Sequence, residues 1–221
     1  MNTRRRTATV MVWPLFFMFA ATAVSVASAQ EPRLTGRLPD AARVEVNSML
    51  DSARAEGLPT EPMVDRALEG AAKRAPEGLI VAAVRRLWGE LRTARQAFGS
   101  AATAAELGAG AGALRAGATF ADLSALRERR PAQPLTVAAA VLADLVAVGV
   151  PADTAIVAVL ALAPVVNDAE YIAFRRNVER DIARGASPSA ALGTEMGAAA
   201  DRYGLETVNQ GTTTQTTRRK P

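Results

Sequence analysis

The chain has 221 residues with 26 basic and 22 acidic side chains, a formal charge of +4, and neither cysteine nor histidine. Those two absences exclude disulfides, cysteine nucleophiles, serine-histidine triads, c-type haem attachment and the usual zinc sites. Much of the positive excess lies at the ends, Arg4 to Arg6 and Arg218 to Lys220, so the body is nearly neutral and bulk charge indicates no nucleic-acid partner.

Residues 1–29 read as a cleaved signal peptide. A basic start is followed by an apolar run from Val10 to Val24 and by Ala27-Ser28-Ala29, a small-x-small site placing cleavage after Ala29. An uncleaved anchor is the competing reading, since the run approaches the ~20 residues that span a bilayer. The expectation is an exported protein, periplasmic or extracellular. Residues 30–39 are expected to be a linker, 40–203 an all-helical domain, and 204–221, rich in Thr and Gln, a disordered polar tail.

Helices follow in order. The first opens near Asp40, with Val46, Met49, Leu50 and Ala53 on one face. Four stretches then share one grammar: Glu56-Gly57-Leu58-Pro59, Ala116-Gly117-Ala118-Thr119, Val148-Gly149-Val150-Pro151 and Arg184-Gly185-Ala186-Ser187-Pro188. Each closes one helix and opens the next, because glycine tolerates the left-handed conformation just past a helix end. Thr119 with Asp122 and Asn167 with Glu170 have capping-box spacing, Ser187 stands before a proline suited to the first turn, and Asp153 reads as an N-cap. Pro76, Pro131 with Pro134, and Pro164 mark reversals within the units. The sequence therefore predicts an all-α fold, either an irregular, solenoid-like helical-hairpin repeat or a compact multi-helix bundle.

From Glu77 to Phe98, Ile80, Val84, Leu87, Leu91, Ala94 and Phe98 form an apolar stripe, and Arg85, Trp88, Arg92 and Arg95 lie beside it. That edge is a candidate partner-binding patch; its structural alternative is a boundary tryptophan covered by arginine stems. The glycines at 108, 110 and 112 suggest either a loose region or close helix packing. Residues 135–148 carry one charge, Asp144, and residues 154–166 none, so this hairpin is expected to be surrounded by other helices, with Asp144 paired to an arginine. Each of these segments is too short to span a membrane. If the many alanines leave a cavity, Val141, Leu145, Ile156 and Leu160 would line it.

Gly57-Leu58-Pro59-Thr60-Glu61-Pro62 leading to Ala67-Leu68-Glu69-Gly70, with Pro134-Leu135-Thr136-Val137 and Gly149-Val150-Pro151, resembles an uncharacterised group of exported, Ala/Arg-rich bacterial proteins. The resemblance implies an exported helical chain and carries no activity, ligand or catalytic residue.

No phosphate-binding glycine loop or calcium loop is present, and Gly70-Ala71-Ala72-Lys73 lacks the serine of a Ser-x-x-Lys pair. The expectation is a non-catalytic exported helical scaffold or protein-interaction protein of the bacterial cell envelope, not an enzyme, with no cofactor or metal and an unknown envelope protein as partner. Membrane contact is compatible with it but not required. The alternative is a periplasmic carrier of an apolar ligand or lipid.

Overall fold

A computed structural model describes residues 31–205; the signal-peptide assignment at 1–29 lies outside them, as does the tail assigned to 204–221 apart from Gly204, which caps the last helix at φ 65°, and Leu205, whose N–H donates to the Ala200 carbonyl. The described chain is all-α: α1 (Asp40–Ala55), α2 (Glu61–Ala72), α3 (Glu77–Phe98), α4 (Ala104–Arg115), α5 (Phe120–Arg129), α6 (Thr136–Ala147), α7 (Ala152–Leu162), α8 (Asp168–Ala183) and α9 (Pro188–Tyr203), with no strand among the described residues.

The four glycine turns are one motif repeated. In each, the glycine N–H donates to the carbonyl of the last helical residue but one and the next N–H reaches one residue further back: Gly57 to Arg54 with Leu58 to Ala53, Gly117 to Leu114 with Ala118 to Ala113, Gly149 to Val146 with Val150 to Leu145, and Gly185 to Ile182 with Ala186 to Asp181. The pattern closes a helix through a left-handed residue, and all four glycines have positive φ. α2 ends the same way, with Arg74 N donating to Ala71 and Ala75 N to Gly70, but a non-glycine stands at φ 53°. Left-handed backbone costs an L-residue roughly 1–2 kcal/mol. Arg74→Gly is therefore expected to raise the unfolding free energy by about 1 kcal/mol in urea denaturation.

Helix starts follow the side chains. The expected boxes at Thr119/Asp122 and Asn167/Glu170 are formed, and Ser187 Oγ accepts from Ala190 N. A further box, Thr103/Glu106, opens α4. Asp153 is not the cap of α7: Pro151 takes that position, and Asp153 sits inside the first turn, accepting from Thr154 N. Residues 31–39 do not behave as a linker. Leu34 and Leu38 are buried, Glu31 N donates to Asn47 Oδ1, and Arg33 makes a two-pronged bond to Glu61, tying the segment to α1 and α2.

Substantial helix contacts join only neighbours one or two apart. Pairs two apart are α1 with α3, α3 with α5, α5 with α7, α7 with α9, α4 with α6 and α6 with α8. Odd-numbered helices thus form one layer and α4, α6 and α8 a second. No substantial contact returns from α9 to the early helices, so the described helices make an open row, as stacked helical repeats do, rather than a bundle closed on itself. One buried core runs its length, from Leu34 and Val46 through Leu91 and Leu145 to Leu192.

Candidate functional site

The Arg85, Trp88, Arg92 and Arg95 edge faces α1. Arg85 pairs with Glu45, Arg92 engages both carboxylate oxygens of Glu56 through Nη2 and Nε, with Nε–Oε2 at 2.6 Å, and Arg95 donates to the Gly57 carbonyl at 2.9 Å. The Arg92 guanidinium lies 4.0 Å from the Trp88 ring centroid, a cation-π stack. Trp88 is half-buried with Nε1 unpartnered, although the indole is near enough to assist Arg92 in holding the Glu56 carboxyl below its ordinary range. All four side chains are thus engaged within the chain, where α3 locks against α1 across some forty residues of sequence.

The α6–α7 hairpin is less enclosed than its composition predicts. α6 packs against α4, α7 and α8, burying Val141 and Leu145, and Asp144 meets Arg175 of α8 at 3.2 Å, the expected arginine partner. α7 packs against α5, α6 and α9 but turns one side outward: Val157 is 66% exposed, and Ile156 and Leu160 are half-buried. Of the residues read as cavity lining, Val141 and Leu145 are packed into the core, while Ile156 and Leu160 lie on the outward-turned side of α7. α7 is tolerated at the surface because its one exposed large apolar side chain, Val157, stands singly beside the exposed Asp153 and Thr154.

The densest polar chemistry lies at the α5–α6 and α7–α8 turns. Arg130, 1% exposed, donates to the Val166 carbonyl and to Asp168 Oδ1, each at 2.8 Å, and lies 5.3 Å from the Tyr171 ring centroid. The Tyr171 hydroxyl donates to the Val159 carbonyl at 2.7 Å, and burial pushes its pKa upward. One arginine therefore ties the end of α5 to the α7–α8 turn and the head of α8. An open cleft of about 560 Å³ passes over it, bordered by Gln133, Pro134, Pro164 and Val165. The two carboxylates at its rim are engaged, Asp168 by Arg130 and Glu170 by the α8 cap and the Tyr203 hydroxyl.

A second knot surrounds Glu106. Its carboxylate accepts from Thr103 N and Thr103 Oγ1, from Leu135 N at 3.0 Å and from Arg127 Nη2 at 3.0 Å, while Arg127 also donates to the carbonyls of Arg130 and Gln133. Burial pulls the Glu106 pKa up, but the Thr103 and Leu135 N–H groups, the Thr103 hydroxyl and Arg127 outweigh it and leave the carboxyl below its ordinary range. A depressed folded pKa contributes stability that is full above the unfolded value, near 4.5, and disappears as pH falls through the lower folded value. Glu106→Gln is expected to cost about 1–3 kcal/mol at pH 7 and to flatten the loss of stability below pH ~4.5, as read by urea unfolding across that range.

These knots escaped sequence reasoning. Thr103-Ala104-Ala105-Glu106 has the capping-box spacing and was a findable signal, whereas nothing local distinguishes Arg130, which enters the core, from Arg129, which does not. No described helix is long and apolar enough to cross a membrane, and no group of three or more acidic residues among the described residues is placed to hold a metal ion. The chain matches no family model, no curated protein and no solved structure.

Proposed function

We propose that the protein is a non-catalytic helical scaffold or protein-interaction protein, exported to the bacterial cell envelope. The observation carrying this reading is the open row. Helices that contact only neighbours one or two apart leave both flanks of the row available along its length, the arrangement that helical repeats use to present surface to partners. The charged groups fit the same reading, because the buried Arg130 and Glu106 bind turn carbonyls, amides and helix heads and so hold the row's shape. Export rests on the signal-like residues 1–29.

Native mass spectrometry of protein released gently from the envelope of an expressing bacterium tests this. The scaffold reading expects the bare chain or a protein complex. An apolar mass without a phosphate group that copurifies and is lost on denaturation would replace it with a carrier.

A further inference from the structure

The second layer of the row has a gap. α4, α6 and α8 stack directly, but α2, which packs on α3, makes no substantial contact with α4. Between α2 and α4 lies a cleft of about 440 Å³ with Ala82 and Ala83 of α3 among its lining and charged walls: Arg66 from α2, Arg86 and Glu90 from α3, and Arg115 from α4.

The charges do not balance. Arg115 Nη2 holds Glu90 Oε2 at 2.6 Å, while Arg86 Nε approaches Glu90 Oε1 only to 3.9 Å, beyond a hydrogen bond. On the other wall Glu69 takes Lys73 at 2.6 Å and Arg66 at 3.1 Å. Lys73 first, then Arg66, and Arg115 from across the cleft hold the Glu69 carboxyl below its ordinary range, which links the two walls electrostatically. Four cations thus share two carboxylates. Glu90, with a side chain 12% exposed, already occupies one arginine as an oxyanion would, whereas Arg86, 79% exposed, has only that long contact.

We propose that this α2–α3–α4 cleft binds a phosphate monoester, carried either by a free small molecule or by a lipid headgroup, with Arg66, Arg86 and Arg115 as its partners. An excess of two positive charges matches a phosphate monoester, which carries about −1.5 to −2 at neutral pH, better than a single carboxylate. Guanidinium forks suit phosphate oxygens. The alanines leave space between the arginines, and the volume falls in the small-ligand range of roughly 300–1,000 Å³.

The test uses the full chain at low salt, titrated with inorganic phosphate by calorimetry and mixed with phosphatidylcholine vesicles with and without phosphatidic acid. Saturable phosphate binding, weakened about tenfold by Arg86→Gln and unchanged by Arg176→Gln on the exposed side of α8, identifies a site for free phosphate esters. Binding only to the phosphatidic acid vesicles, with the same dependence on Arg86, identifies the lipid headgroup as the source. Binding in neither arm, or equal weakening by the two substitutions, overturns the proposal. Arg86 is solvent-exposed, so its replacement leaves the fold in place.

Discussion

Arg130→Ala is expected to destabilise the protein by about 3–5 kcal/mol, the range found when one partner of a buried charge pair is removed. The substitution deletes both 2.8 Å hydrogen bonds, leaves the Val166 carbonyl without its donor, strips Asp168 of its cation and uncovers one face of Tyr171. Asp168 retains some access to water, which places the expected cost toward the lower end of that range. Urea unfolding followed by far-UV circular dichroism reads the effect. A loss below 1 kcal/mol would mean that the α5–α8 junction is held by apolar packing alone. Arg130→Lys is expected to recover only part of the loss, because an ammonium cannot place two donors in the fixed fork that spans Val166 and Asp168.

Gly110→Val is the second large effect. Gly110 sits where α4 crosses α3, and a β-carbon there would lie 2.7 Å from Phe98 Cε2 and 2.9 Å from the Ala94 β-carbon. Both obstacles belong to buried residues, so the helices must separate or Phe98 must leave its place. Overpacking of this kind costs about 1–3 kcal/mol, and valine's second branch takes the estimate to the upper end. Gly108 supplies the contrast. An added β-carbon there meets nothing within 4 Å, so Gly108→Ala is expected to stabilise the helix by about 0.5–1 kcal/mol. Opposite signs two residues apart in thermal unfolding are the expected result; equal losses would show that α4 is not set by close approach at Gly110.

That contrast also marks how far the sequence could be read. Glycine at 108, 110 and 112 suggested either looseness or close packing, and the choice depends on which face of α4 meets α3, information held by Phe98 and Ala94 rather than by the glycines. The turns were legible because their cause is local: Gly57, Gly117, Gly149 and Gly185 close their helices with bonds that span five residues or fewer. The same local chemistry at Arg74 left no trace, since the left-handed position lacks its usual glycine. Residues 30–39 read as a linker, and only the distant Asn47 and Glu61 reveal that Glu31 and Arg33 are held. On α3 the spacing placed Arg85, Trp88, Arg92 and Arg95 on one edge, yet their partners Glu45, Glu56 and Gly57 lie in other elements. The charge imbalance around Arg86 likewise requires three helices to converge before it can be seen.

The most direct test of the scaffold reading is site-specific photocrosslinking in an expressing bacterium. The reactive residue would be placed in turn at Val44, Leu79, Phe120 and Val157, exposed apolar positions on α1, α3, α5 and α7, and at Arg176 on α8 for comparison. The scaffold reading expects a discrete protein adduct at one or more of the four and none at Arg176. Uniform absence of adducts, with the protein folded and correctly exported, would contradict it.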